Sequence, residues 1–344
     1  MKRDKILDVK NLHVSFKTYA GVVQAVRGVD FYLKEGETLA IVGESGCGKT
    51  VTVKTIMGLL PEEQAIVNRD EGKIDFKGED LLKYDDTKMT TIRGRRISMI
   101  FQDPMTSLNP TMKIGDQIAE NIIIHERKSK DEARKDALNM LKLVNIPNAE
   151  ERINQYPFEF SGGMRQRVMI AMALACSPEI LIADEPTTAL DVTIQAQIME
   201  LIGELQEKTN TSVILVTHDL GVVASVAHRI HVMYAGQIIE KGTVDEIFYS
   251  PKHPYTFALL RSVPKLSDDK QNRLYSIAGT PPDLINPPKG CPFAARCEFA
   301  MKVCRIKQPE VTSFGETHES YCWLHHPKAD KNEVPEILLR ERVI

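Results

Sequence analysis

The sequence predicts an α/β fold built around a parallel sheet, and three observations indicate it. Near the N-terminus, residues 7–16 and 29–33 alternate apolar and polar side chains, which predicts a small antiparallel sheet beside the parallel one. A glycine-rich loop lies between a predicted strand and a predicted helix. Short apolar runs, typical of strands buried on both faces, recur along the chain. These runs lie at residues 39–42, 97–101, 180–183 and 213–216.

The glycine-rich loop, residues 43–50, reads GESGCGKT and matches the phosphate-binding pattern G-x-x-x-x-G-K-[ST]. Residues 39–42 precede it as a strand, and residues 51–60 follow as a predicted helix. Backbone N–H groups and the positive end of a helix can surround a phosphate there. We expect Lys49 to reach the outer phosphates and Thr50 to bind Mg²⁺. The predicted nucleotide-binding residues of this P-loop are Gly43, Ser45, Gly46, Cys47, Gly48, Lys49, Thr50 and Val51.

Polar side chains follow three of the apolar runs, where parallel strands meet at one edge of a sheet. Asp184 suits Mg²⁺ coordination, usually through water, and Glu185 suits general-base polarisation of an attacking water. Strand alternation is expected to point these two carboxylates to opposite sides. Gln102 is predicted to hold the water or touch the metal, and His218 to hydrogen-bond a terminal phosphate.

Two further segments are candidates for nucleotide contact. Ser161, Gly162 and Gly163 begin a predicted helix and form a potential anion site, although an ordinary capped helix explains them equally well. Tyr19 lies in the loop between the first two predicted strands and is a candidate for stacking on an adenine ring, with Phe16 as the alternative.

In this order the motifs resemble the ATP-binding subunits of ABC transporters, and the resemblance covers about the first two-thirds of the chain. The family's LSGGQ signature is here FSGGM, at residues 160–164, which keeps the serine and both glycines. The resemblance implies a P-loop NTPase core of RecA-like type, an antiparallel β subdomain and a helical subdomain at about residues 103–178. It implies Asp191 as a further nucleotide-binding residue. It also implies that ATP is bound between the P-loop of one subunit and the signature of another, so that one chain alone hydrolyses ATP poorly.

The tail suggests a subfamily. Residues 250–256 (SPKHPYT), 278–282 (AGTPP) and 290–297 (GCPFAARC) resemble the C-terminal extension of dipeptide and oligopeptide importer ATPases, closest to the D-type dipeptide subunit. That group also includes nickel importers, so nickel import is the alternative function. The resemblance implies an ATPase domain at residues 1–250 and a small cysteine-rich C-terminal extension at 251–344. The implied partners are a homologous F-type ATPase, two transmembrane permease subunits and, indirectly, an extracellular substrate-binding protein.

Four of the six cysteines lie in the last sixth of the chain, in a proline-rich segment that needs a cross-link or a bound metal to stabilise it. Disulfides are disfavoured beside a cytosolic ATP-using domain. Spacing alone leaves an iron–sulfur cluster and zinc open, with unligated thiols as a third choice. The resemblance implies a 4Fe-4S cluster bound within residues 285–326. His325 and His326 follow Cys322 and are possible substitute ligands, although we expect both at the surface. The cluster ligands would be Cys291, Cys297, Cys304 and Cys322.

Composition limits the classes of partner. A formal net charge of -3 disfavours broad binding to nucleic acid. The longest apolar run, residues 168–176, is too short to cross a bilayer, and residues 1–5 lead into strand-like sequence without an apolar signal core. We therefore expect a protein at the cytoplasmic face of the membrane, attached through partners. The competing hypothesis, a soluble ABC ATPase acting on nucleic acid or ribosomes, is disfavoured by one P-loop and the lack of sustained heptads.

Overall fold

The apolar runs form buried strands in a computed structural model that describes residues 4–188, 191–262 and 276–340. The strands are β1 (Lys5–Thr18), β2 (Gly21–Lys34), β3 (Thr38–Val42), β4 (Ala65–Val67), β5 (Lys73–Phe76), β6 (Glu79–Asp80), β7 (Ile97–Ile100), β8 (Ile180–Asp184), β9 (Ser212–Thr217), β10 (Arg229–Tyr234), β11 (Gln237–Thr243), β12 (Thr312–Ser313) and β13 (Glu319–Ser320).

Helices of four to eighteen residues connect them. They are α1 (Lys49–Ile56), α2 (Asp86–Ile92), α3 (Pro104–Ser107), α4 (Ile114–Glu126), α5 (Lys130–Leu143), α6 (Ala149–Arg152), α7 (Gly162–Leu174), α8 (Val192–Thr209), α9 (Leu220–Val223), α10 (Val244–Tyr249), α11 (Pro254–Ser262), α12 (Lys302–Ile306) and α13 (Glu336–Leu339). Across the described ranges, no helix is long and apolar enough to cross a membrane.

The chain divides into two units that are interleaved along the sequence. The helical unit comprises Leu33–Thr38 and Lys83–Val216, with the described residues before Leu7. The P-loop unit comprises Leu7–Tyr32, Leu39–Leu82 and the described residues from Thr217 onward.

In the helical unit, β7, β8 and β9 pair in parallel in the spatial order β9-β8-β7. Every residue of these strands is buried, as their continuous apolar character predicts. Helices α3 to α7 lie between β7 and β8 in sequence, and α5 packs against α4 and α7.

Residues 114–143 contain two helices, α4 and α5. Arg127 ends α4 with a left-handed φ of 56°, and Ser129 begins α5 with a capping box closed by Glu132. One face of α5 packs into the core, because the apolar side chains at its helical spacing are buried. These residues are Ala133, Ala137, Leu141 and Val144.

In the P-loop unit, β3 pairs in parallel with β10, and β10 pairs antiparallel with β11. The hairpin of β12 and β13 extends this sheet through β13 and β11, so part of the C-terminal extension is sheet. A separate antiparallel sheet has the order β2-β1-β5-β6, with β4 also paired to β1. This sheet confirms the predicted antiparallel subdomain.

Candidate nucleotide-binding site and cysteine cavity

The P-loop lies between β3 and α1, and its outer glycines are required by the protein's own backbone. A Cβ atom on Gly43 would lie 2.1 Å from the carbonyl oxygen of Met233, and one on Gly48 would lie 2.4 Å from that of Ala25. Both glycines also have positive φ, at 156° and 104°. Gly46 has φ 77°, but a Cβ there would meet nothing within 4 Å. The middle of the loop therefore faces open space, while its two ends are tightly packed.

Lys49 is folded back onto this loop. Its Nζ donates to the carbonyl oxygens of Gly43 at 2.8 Å and Glu44 at 3.1 Å, and the residue is only 4% exposed. Burial raises the pKa of the neighbouring Cys47 thiol, although Lys49 opposes that shift. A bound phosphate would compete with the two carbonyls for the ammonium group. The helix predicted at residues 51–60 is too long, because α1 ends at Ile56.

Glu44, at a variable position of the P-loop, is held by two residues of the tail motifs to which the sequence analysis assigned no individual role. Its backbone N–H donates to the hydroxyl of Tyr255 at 2.8 Å. Its carboxylate forms an ion pair with Arg296, with an Nη1–Oε2 distance of 2.7 Å. These partners are 211 and 252 residues away in sequence, so no local pattern signals either contact.

The acidic pair lies at the end of β8. Asp184 is the last residue of the strand and is 2% exposed. Glu185 lies beyond the strand with a left-handed φ of 48°, and its N–H donates to the carbonyl of Val216 at 2.8 Å. The expectation that strand alternation separates the two carboxylates is therefore wrong. A left-handed turn of the backbone redirects Glu185 instead, at a cost of about 1 kcal/mol.

Gln102 and Glu185 lie together, as their positions at strand ends predict. Gln102 Nε2 donates to Glu185 Oε2 at 3.1 Å, and Thr188 Oγ1 donates to the same oxygen at 3.0 Å. Both bonds orient the carboxylate without neutralising its charge. Ala189 and Leu190, in the loop that follows, lie outside the described residues.

Ser161 and Asp191 cap two helices that pack against each other, α7 and α8. Ser161 Oγ accepts from the N–H of Met164 at 3.4 Å, and Asp191 Oδ1 accepts from the N–H of Ile194 at 3.0 Å. A Cβ on Gly163 would lie 2.9 Å from the Ile194 side chain, so helix packing explains that glycine. Contacts of Ser161, Gly162, Gly163 and Asp191 with nucleotide remain predictions.

Two other predicted nucleotide contacts are solvent-accessible. His218 follows β9 and is exposed. Tyr19 lies in the turn between β1 and β2 with its ring fully exposed, whereas Phe16 is half-buried on β1 opposite Ala65. The structure thus leaves the Tyr19 ring more accessible, and adenine stacking remains a prediction.

Two family descriptions match separate parts of this chain. Residues 26–188 match the family described as ABC transporter, and residues 239–304 match the C-terminal region of oligopeptide/dipeptide transporters. The dipeptide transport ATP-binding protein DppD of Bacillus subtilis is 60% identical over 95% of this chain and 97% of its own length. The chain belongs to the ATP-binding proteins of ABC transporters.

A further relative and a solved structure also place this chain among ABC ATPases. The oligopeptide transport ATP-binding protein OppD of the same organism is 59% identical over 96% of this chain and 92% of its own. Among solved structures, the dimeric post-hydrolysis state of the ATP-binding cassette MJ0796, bound to ADP and Pi, matches with a TM-score of 0.62 and 31% identity. It covers 69% of this chain and 98% of its own, which confirms the predicted P-loop NTPase fold.

The four clustered cysteines of the ABC ATPase line one cavity in the C-terminal extension, together with His253 and Phe293. Burial raises the pKa of Cys291 to about 11 and that of Cys297 to about 12, and it raises the pKa of Cys322 well above its ordinary value. All six cysteines are free thiols, including the buried Cys47 and Cys176. The structure therefore brings the four predicted ligands to one cavity, and burial favours the neutral thiol at Cys291, Cys297 and Cys322.

His253, which lines the same cavity, carries an unpaired polar atom. Nδ1 of His253 accepts from the N–H of Tyr255 at 3.0 Å, which assigns the ring proton to Nε2. Nε2 is buried and has no hydrogen-bond partner among the described residues. His325 is half-buried, not at the surface as expected, and its Nε2 bonds the carbonyl of Lys252. Within the part of the chain that the structure describes, no His, Cys, Asp and Glu group has an arrangement that could hold a metal ion.

Proposed function

We propose that this ABC ATPase hydrolyses ATP to power the import of dipeptides or oligopeptides through partner permease subunits. One observation carries the proposal: the ATPase motifs and an oligopeptide/dipeptide transporter C-terminal region occur in the same chain. Relatives of 59% and 60% identity, over nearly the whole length, are named for oligopeptide and dipeptide transport. Nickel import and action on nucleic acid are the other outcomes that an experiment must separate.

The P-loop provides the phosphate site of the proposed mechanism. Lys49 releases its two loop carbonyls and neutralises the outer phosphates, while backbone N–H groups along the open middle of the loop bind the phosphate oxygens. Thr50 and Asp184 would hold Mg²⁺, which would supply positive charge to offset the negative charge on the phosphates.

Glu185 is the proposed general base. Its carboxylate accepts hydrogen bonds from Gln102 and Thr188, which fix its direction but leave it able to take a proton from the attacking water. Gln102 is close enough to hold the same water, and the exposed His218 would bond the terminal phosphate. Ser161, Gly162 and Gly163 of a second subunit would complete the site, with Asp191 nearby.

The proposed assembly contains an F-type ATPase as the second subunit, two transmembrane permease subunits and an extracellular substrate-binding protein. This chain would then lie peripherally at the cytoplasmic face of the membrane. We place the ATPase domain at residues 1–250, with its helical subdomain at about 103–178, and the extension at 251–344.

We further propose that the cysteine cavity binds a 4Fe-4S cluster through Cys291, Cys297, Cys304 and Cys322. Four thiols around one cavity supply the donor set of such a cluster, which would act as a structural or redox-active centre. The orphaned Nε2–H of His253 fits as a hydrogen-bond donor to a sulfur atom in that cavity. Because the thiols are not arranged to hold a metal in this structure, binding requires them to rearrange.

Metal and acid-labile sulfide analysis of anaerobically purified protein tests the cluster. About four irons and four sulfides per chain, with broad absorption near roughly 400 nm, are expected. If the analysis finds stoichiometric zinc without iron, the cavity holds a zinc site and not a cluster. If it finds neither metal, the four thiols are unligated.

Deletion of the gene tests the function. We expect the deleted cells to lose uptake of labelled dipeptides and to regain it with the wild-type chain but not with Lys49→Ala. Affinity purification from membranes should recover two hydrophobic permease subunits and a second ATPase. Normal peptide uptake with lost Ni²⁺ uptake, or recovery of ribosomes in place of permeases, would refute the proposal.

A further inference from the structure

The C-terminal extension holds the P-loop at Glu44. The N–H of Glu44 donates to the Tyr255 hydroxyl at 2.8 Å, and its carbonyl accepts from Lys49 Nζ at 3.1 Å. Its carboxylate accepts two parallel bonds from Arg296, with Nη1–Oε2 at 2.7 Å and Nη2–Oε1 at 3.0 Å. Each polar group of Glu44 is therefore bonded, and two of its partners belong to the extension.

Arg296 itself has a single well-defined orientation. All five of its N–H donors have partners, namely both Glu44 oxygens, the Tyr234 hydroxyl, and the carbonyls of Ile277 and Ala278. Its side chain is 5% exposed. Lysine cannot reproduce this planar fork of donors. The guanidinium is therefore fixed beside the P-loop before any nucleotide binds.

A carboxylate on the P-loop weakens phosphate binding by the loop, because it repels the anionic phosphates of the nucleotide. The Glu44 side chain is 25% exposed, so water alone screens its charge only in part. The ion pair with Arg296 neutralises that charge at its source. Arg296 lies between Cys291 and Cys297, in the segment whose cysteines line the cavity.

We propose that Arg296 is a positioning residue for nucleotide binding, which neutralises Glu44 and fixes the first turn of the P-loop, so that the C-terminal extension sets the affinity of the loop for phosphates. This goes beyond the proposed transport function, since it requires only that the chain binds ATP. An unpaired unit charge about 10 Å from a phosphate changes affinity roughly tenfold at an effective dielectric constant of about 20.

The test is a double-variant cycle on the full-length chain, with ATP affinity measured by calorimetry and folding checked by thermal melting. Arg296→Met keeps the aliphatic stem but removes the charge, and we expect ATP binding to weaken about tenfold. The loss of ATP affinity should become smaller as the salt concentration is raised, because it arises from repulsion between the Glu44 carboxylate and the phosphates. Arg296→Met combined with Glu44→Gln should restore wild-type affinity to within about twofold. The control, Arg305→Met, makes the same change at an exposed position of the extension and should have no effect.

Unchanged affinity in Arg296→Met would overturn the proposal. So would an equally weak double variant, which would mean that Arg296 only supports the fold. If Arg296→Met does not fold, Glu44→Gln alone decides, because it leaves the Arg296 charge uncompensated beside the loop. We expect that variant to bind ATP about fivefold more tightly, and the exposed control Glu62→Gln to bind normally. Unchanged or weaker binding by Glu44→Gln would then refute the proposal.

Discussion

Replacing Glu185 with glutamine separates its chemistry from its structural role. The amide oxygen of glutamine can accept the same hydrogen bonds from Gln102 and Thr188 that the carboxylate accepts at 3.1 and 3.0 Å. The left-handed backbone at this position is unchanged by an isosteric side chain. We therefore expect the free energy of unfolding to stay within about 0.5 kcal/mol of the wild-type value. The only remaining effect of Glu185→Gln should be the loss of the general base.

The expected loss of turnover follows from the size of general-base catalysis. A positioned base contributes roughly 10²- to 10⁴-fold, so the barrier to hydrolysis should rise by about 3 to 5.5 kcal/mol. ATP affinity should be retained or increased, because binding survives while water activation is lost. The ATP-bound dimer with a partner ATPase should then accumulate.

Two measurements check this prediction. Single-turnover hydrolysis in the assembled transporter reports the chemical step, and calorimetry on the isolated chain reports ATP binding. The control is Glu207→Gln, the same substitution at an exposed position on α8, which should leave both unchanged. Glu185→Gln that keeps more than about a tenth of wild-type turnover would refute the assignment of Glu185 as the base.

Three further predictions concern packing and reactivity. Gly43→Ala should destabilise the fold by at least about 2 kcal/mol more than Gly46→Ala in urea unfolding, because only at Gly43 does the new Cβ meet a backbone carbonyl; equal losses would contradict this. Glu240→Gln should lower the free energy of unfolding by about 1 to 3 kcal/mol, because this fully buried carboxylate accepts two backbone N–H bonds and pairs with a histidine. The control Glu316→Gln, at an exposed position, should leave the free energy of unfolding unchanged in the same urea measurement. Cys47 should resist alkylation near pH 7 in the folded chain and react after unfolding, because burial raises its pKa; mass spectrometry that finds rapid modification of the native protein would contradict this.

The sequence predicts the core strands because their physics is local. Residues 180–183 are apolar without interruption, and that pattern alone requires burial on both faces. The P-loop is equally local, since eight consecutive residues carry the phosphate chemistry. The glycines at the two ends of the loop are also required by packing, which the motif does not show. A Cβ on Gly43 would clash with the carbonyl of Met233, and one on Gly48 would clash with that of Ala25.

Long-range contacts account for what sequence reasoning missed. Arg296 and Tyr255 reach Glu44 across more than two hundred residues, and neither belongs to a periodic pattern. The left-handed turn at Glu185 was also missed, since a short apolar run followed by carboxylates indicates where a strand ends but not how the chain leaves it. His253 was noted only as part of a tail motif, and its buried unpaired nitrogen becomes apparent only in the folded cavity.

Reconstitution in proteoliposomes tests whether this ABC ATPase powers peptide import. The chain would be combined with the permease subunits and second ATPase recovered with it, and with the substrate-binding protein. We expect that a labelled dipeptide accumulates only with ATP, that peptide stimulates ATP hydrolysis, and that Glu185→Gln abolishes both. ATP hydrolysis that proceeds without any peptide accumulation, or ATP-driven accumulation of Ni²⁺ alone, would contradict it.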